Sequence, residues 1–132
     1  MVTSADGAIG IRLLKTSDHH IAFEFATRRN DAIRLASHTV LEADRWYHLC
    51  VTKDDLSVAL YDGGIEQDRK PLRAAGDLTL DEDLAPIYLG ASKDRHSAVA
   101  GNLDEILFYS RALSAADVQN LFQRRESGTC KM

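Results

Sequence analysis

The stretch "GNLDEILFYSRALSAADVQNLF", Gly101 to Phe122, decides how the chain is read, because it passes from a strand-like run into a short helix with almost no linker. The helix half follows from local chemistry. Ser114 supplies an N-cap oxygen, and Asp117 places a carboxylate where backbone N–H groups lack partners. Val118, Leu121 and Phe122 recur at i, i+3 and i+4 as one apolar stripe, while Arg124 and Arg125 suit the last turn before Gly128. Such a helix docks on a surface. The strand half, Leu103 to Tyr109, has large apolar residues at both parities (Leu103, Leu107 and Tyr109 against Ile106 and Phe108), which predicts a strand covered on both faces.

Upstream of this segment, short period-2 stretches follow one another. Ile9, Ile11 and Leu13 alternate around Arg12; Ile21, Phe23 and Phe25 alternate around Glu24; Ile33 and Leu35 flank Arg34. Polar breaks at Thr16-Ser17-Asp18 and Arg29-Asn30-Asp31 separate them as turns. "WYHLCVTKDDLSVALYDGG", Trp46 to Gly64, reads as a hairpin: Leu49 and Val51, a turn at Asp54-Asp55, then Leu56, Val58 and Leu60, closed by Asp62-Gly63-Gly64. A charged loop is expected from Glu66 to Lys70, and "LTLDEDLAPIYLGAS", Leu78 to Ser92, reads as two short strands around Glu82 to Pro86. Seven or eight strands and a single terminal helix predict an all-β fold, an antiparallel sandwich, in one domain over residues 1–126 with a tail at 127–132.

Composition narrows the function classes. A chain of 132 residues can bury roughly two thirds of its unfolded surface and needs no disulfide to fold. Sixteen Lys and Arg against twenty Asp and Glu give a net charge of −4 in short mixed clusters, which disfavours nucleic acid or an anionic membrane as partner. Arg28-Arg29 and Arg124-Arg125 read as solvated surface. Cys50 and Cys130 show no metal-ligand or redox spacing and are expected to be free thiols. No signal-peptide core follows Met1 and no apolar run has transmembrane length, so the chain is expected to be soluble. That leaves an intracellular protein, or a module whose export signal lies outside this sequence.

Trp46-Tyr47-His48-Leu49, Leu60-Tyr61-Asp62-Gly63, Ile87-Tyr88-Leu89-Gly90, Gly101-Asn102-Leu103-Asp104-Glu105-Ile106 and Tyr109-Ser110-Arg111-Ala112-Leu113-Ser114 follow in an order and spacing that carry a resemblance over roughly Gly7 to Phe122. With them the chain resembles the laminin G-like domains of the concanavalin A-like lectin/glucanase class. The resemblance implies a jelly-roll-like sandwich, ending in a core strand and a short helix, and carbohydrate as the first ligand class. Domains of this class usually open with two further strands beside the terminal one, and nothing before Ile9 can serve as either. An incomplete sandwich is therefore expected. Asp62 also follows Tyr61 directly, where the class has an intervening apolar residue.

Candidate chemistry is sparse. A glycosidase of this class needs two carboxylates on one face of a strand, and no E-x-D-x-x-E arrangement is present; Asp81, Glu82 and Asp83 alternate faces, as do Asp104 and Glu105. The chain is expected not to be an enzyme, with glycoside hydrolase the last reading. Asp104 is a candidate Ca²⁺ ligand, set against a preferred role in holding the strand end through backbone N–H groups; no cofactor is otherwise expected. His19 and His20 must face opposite ways on a strand, His38 and His96 fall in loops, and Trp46 is expected to be wedged at a strand start. Parity sharpens the reading. If Ile11, Phe23, Phe25, Leu35, Leu49, Val51, Val58 and Leu60 face the core, then Arg12, Glu24, Arg34, His48, Cys50, Ser57, Ala59 and Tyr61 face away from it. Arg12, Glu24, Arg34, His48 and Tyr61 are the candidate ligand-binding set, against the plainer reading of a solvated sheet face. The functional expectation is a non-catalytic binding module for carbohydrate. The alternative is a self-associating structural domain, a homodimer joined through the open sheet near Leu103–Tyr109.

Overall fold

Asp62 and Ile65 face each other across a two-residue loop whose φ angles are 59° at Gly63 and 80° at Gly64. Left-handed backbone at both positions is what a type I′ hairpin turn requires, and its twist matches that of the strands it joins. The chain must therefore return directly alongside the strand before it. The computed structural model of the protein describes residues 11–26, 32–72, 88–91 and 98–124. Among these residues the elements are β1 (Ile11–Lys15), β2 (Ile21–Ala26), β3 (Ala32–Ala36), β4 (Leu49–Lys53), β5 (Ser57–Asp62), β6 (Ile65–Pro71) and α1 (Ala115–Arg124). Two antiparallel three-stranded sheets, β1-β2-β3 and β4-β5-β6, result. The expected all-β architecture with a C-terminal helix is what forms.

The inner faces of both sheets share one core. Ile21, Phe23, Leu35, Val58 and Leu60 are buried in it, with Leu13, Ile33, Leu41, Leu49, Val51 and Leu72 packed around them. Burying each such side chain stabilises the fold by roughly 1.5–3 kcal/mol. The sheets also meet at their edges. Ser37 N donates to Ile21 O within the first sheet, so the alternating donors Ala36 N and His38 N point the other way. They donate to Asp68 Oδ2 at 3.2 Å and to Gln67 Oε1 at 3.0 Å, both side chains of β6.

A second core lies on the outer face of the β4-β5-β6 sheet, where Ala59, Tyr61, Leu113 and Val118 are buried and Cys50 and Leu121 pack against them. It is made by α1, whose start obeys the local chemistry: Asp117 N donates to Ser114 Oγ at 3.1 Å and Ser114 N donates back to Asp117 Oδ2 at 3.0 Å. Leu113 and Val118, flanking this cap, form the apolar staple that sets the entry angle of the chain. Among the described residues no helix is long and apolar enough to cross a membrane.

Four expectations change. Glu66 to Lys70 is strand, not loop, because β6 is an edge whose ladder partner is imposed by the Gly63-Gly64 turn; its charges and Pro71 suit an edge that must not pair further. The β4–β5 turn centres one residue later than expected, on Asp55-Leu56: Asp54 N donates to Ser57 O, and Asp54 Oδ1 accepts from Leu56 N and Ser57 N. Leu56 is consequently a turn residue, 77% exposed. Leu103 to Tyr109 is not a strand. Among the described residues these join no ladder, their side chains are exposed, and Glu105 with φ 49° breaks the extended backbone. Finally, His19 and His20 lie in the β1–β2 turn rather than on a strand. The segments expected around Ile9, Arg28-Arg29, Leu78 to Ile87, His96 and the tail 127–132 lie outside the described residues; Ala91 and Ala98 form an isolated antiparallel bridge.

The hairpin turn and the helix are coupled through one glycine. A Cβ at Gly64 would stand 3.2 Å from Gln119 Cα and from Phe122 Cβ, whereas one at Gly63 would meet only the Phe122 ring at 3.7 Å. Gly64→Ala is expected to cost about 1–3 kcal/mol through strain at positive φ and displacement of α1, while Gly63→Asn, a residue that type I′ turns accept, changes stability by no more than about 0.5 kcal/mol. Urea denaturation of the two variants checks this; equal losses would uncouple the turn from the helix.

Candidate functional site

Arg12, Glu24 and Arg34 stand in one row because the register pairs Arg12 with Glu24 across β1–β2 and Glu24 with Arg34 across β2–β3. Leu13, Phe23 and Leu35 point into the core, so the row lies on the outer face of the first sheet. Glu24 is the centre. Its Oε1 accepts from Arg34 Nη1 at 2.6 Å and its Oε2 lies 3.7 Å from Arg12 Nη1. The guanidinium-bearing side chains are 51% and 56% exposed, against 29% for the carboxylate between them. A central carboxylate thus holds two planar donor groups at fixed spacing on an open surface, and each retains donors directed to solvent.

His48 and Tyr61, the other two members of the candidate set, are elsewhere. They lie on the outer face of the second sheet, which α1 covers. Tyr61 is 2% exposed. His48 directly precedes β4; its carbonyl accepts from Gly63 N at 2.9 Å and its ring packs on Phe122 with centroids 5.8 Å apart. The sequence parity is right for all five residues in turning them away from the core. It does not unite them, because the two sheets turn their outer faces in different directions and α1 covers the one that carries His48 and Tyr61.

Tyr61 belongs instead to a polar network. Between Leu60 and Tyr61 the β5–β6 register shifts, Leu60 pairing with Asp68 and Tyr61 with Glu66, so that Gln67 is the extra residue of a β-bulge. The bulge puts Glu66 and Arg69 on the same side as Tyr61. Arg69 Nε and Nη2 donate to Glu66 Oε1 and Oε2 at 3.1 and 2.6 Å, Nη2 also reaches the Tyr61 hydroxyl at 3.2 Å, and Nη1 donates to Ser57 Oγ at 2.6 Å. The Tyr61 hydroxyl in turn donates to Glu66 Oε2 at 3.2 Å. Hydrogen bonding from Arg69 holds the Glu66 carboxyl below its ordinary range, and burial pushes the Tyr61 phenol up. Sequence reasoning missed Glu66 and Arg69 by placing them in a loop. Asp62-Gly63-Gly64, read as a two-residue turn, was the signal that would have paired β6 with β5.

Asp104 is exposed and its Oδ1 accepts from Glu105 N at 2.8 Å, a local bond that holds no strand end, since none begins there. Among the described residues no three His, Cys, Asp or Glu side chains are grouped to hold a metal ion. Burial raises the Cys50 thiol above its ordinary range, which suits a packing residue rather than a reactive one. Trp46 departs from expectation: it is 64% exposed, while its neighbour Tyr47 turns back to accept Glu42 N at 2.8 Å.

Two facing antiparallel sheets with a helix docked after the last sheet segment agree with what comparison with known proteins finds. A laminin G-type profile described as the Concanavalin A-like lectin/glucanases superfamily matches residues 1–119. The chain belongs to this superfamily. Among solved structures, an S-layer domain-containing protein from Clostridium thermocellum ATCC 27405, covering residues 221–444, is similar with a TM-score of 0.54 at 22% identity over 92% of this chain. The chain spans 61% of that structure, and at this identity the likeness concerns the fold. No curated protein matches.

The Glu66–Arg69 pair gives the second sheet of this superfamily domain a pH signature. A carboxylate lowered in the folded state contributes stability above its unfolded pKa of about 4.3 and loses it as pH falls through the folded value. The protein is expected to be more stable than its Glu66→Gln variant above about pH 5, the difference shrinking as pH falls through the lowered folded value and the carboxylate protonates. Urea midpoints across that range check it, and a constant difference at all pH values would show that the pair's charge is immaterial.

Proposed function

We propose that this domain is a non-catalytic binding module whose ligand is carbohydrate, engaged by Arg12, Glu24 and Arg34 on the open face of the first sheet. The observation that carries the reading is the row itself: two half-exposed guanidinium groups fixed by one carboxylate across three strands. Sugar hydroxyls both donate and accept, so a surface offering forked donors on either side of an acceptor suits them. A uronic or sialic carboxylate would in addition take a bidentate bond from either arginine. Membership of a superfamily described by lectins and glucanases supports the ligand class.

Absence of catalysis is proposed on the chemistry of the carboxylates. Glycoside hydrolysis needs one carboxyl group kept protonated near neutral pH, opposite a second across the scissile bond. Glu66 is driven the other way by Arg69 and does not suit an acid, and the Glu24 carboxylate already takes Arg12 and Arg34 as partners.

Binding to a glycan array that presents neutral and acidic sugars is the direct test. Arg34→Ala is expected to lower binding at least tenfold while changing stability by no more than about 0.5 kcal/mol, as for a surface substitution. Arg12→Ala is expected to behave in the same way. Binding that survives both substitutions would remove the row from the site.

A further inference from the structure

The segment that follows the Ala91–Ala98 bridge exposes an apolar strip of unusual length. Leu103, Ile106, Leu107, Phe108 and Tyr109 are each between 44% and 70% exposed. Leu103 continues the strip onto the neighbouring loop, since its Cδ1 would lie 3.8 Å from a Cβ at Gly90, flanked by exposed Leu89 and by Val99, whose N donates to Gly90 O at 2.7 Å. Side chains of this size, about half exposed, present roughly 600 Å² of apolar surface together, at the upper end of what a monomer leaves open. Among the described residues these join no β-ladder.

We infer that this strip is the interface of a homodimer, in which two copies of the segment 102–111 meet antiparallel about a two-fold axis. Two features select a second copy over another partner. The first is area: covering every exposed side chain of the strip on both copies buries at most roughly 1,200 Å², which reaches the lower bound of a standard specific interface. The second is charge order. The segment begins with acidic Asp104, runs through its apolar centre and ends at Arg111, whose side chain is 64% exposed although it also bonds Asp117. Antiparallel pairing brings the acidic start of each copy to the basic end of the other. The surface is thus self-complementary in charge as well as apolar in its middle, which a two-fold contact requires.

The association is independent of the Arg12–Glu24–Arg34 face. Its test is sedimentation equilibrium of the full chain from low micromolar concentration upward. The unmodified protein is expected to be a dimer, and Phe108→Ser, which removes a 70% exposed side chain, is expected to give a monomer with an unchanged melting temperature. Asp104→Lys and Arg111→Glu are each expected to weaken the dimer at least tenfold, and the two together in one chain to restore it. A monomer at every concentration overturns the inference, as does a dimer whose dissociation constant ignores Phe108→Ser or whose charge variants fail to rescue one another.

Discussion

Strand β5 is buried on both of its faces, and each hydrophobic cluster among the described residues is built on one of them. Val58 and Leu60 project into the core shared by the two sheets; Ala59 and Tyr61 project into the core shared with α1. Everything else is arranged to satisfy that demand. The first sheet supplies Phe23 and Leu35 for one face, and the helix supplies Val118 and Leu121 for the other. A strand between two layers has no solvated side, so neither layer can be lost without exposing half of it.

Keeping both layers in register falls to β6. Its inward polar side chains bond the end of β3 and the residues after it, through Asp68 at Ala36 N and Gln67 at His38 N, and so join the two sheets through side chains. Its bulge at Gln67 changes the parity of the strand, sending Asp68 toward β3 while Glu66 and Arg69 turn to the outer side with Tyr61. One extra residue thereby serves two contacts on opposite sides of the sheet. An edge strand composed largely of charged residues is paired on one side and unattractive to further strands on the other.

This arrangement leaves the outer faces unequal. The second sheet's face is closed by α1, and its polar residues are spent on one another. The first sheet's face, as far as the Arg12–Glu24–Arg34 row extends, is open and positively forked. Recognition of a polar ligand and association through apolar surface would then occupy separate parts of the molecule, an economical plan for a module of the concanavalin A-like superfamily.

Local rules determined the parts of this protein whose causes are local. The Ser114–Asp117 cap, the apolar stripe of α1, the alternation of β1 to β5 and the common face of Arg12, Glu24 and Arg34 are all legible, because each depends on residues within a few positions or on the two-residue period of a strand. The site was legible in its outward direction but not in its membership, since parity does not say which outward face a helix will cover. Only the tertiary structure chose between two segments apolar at both parities. Leu103 to Tyr109 looked like the doubly covered strand, and Ser57 to Asp62, with its small Ala59, looked like half of an ordinary hairpin. The reverse holds, because burial depends on what can approach: Ala59 and Gly64 let α1 pack close on β5, whereas among the described residues no strand or helix covers the exposed side chains of 103–109.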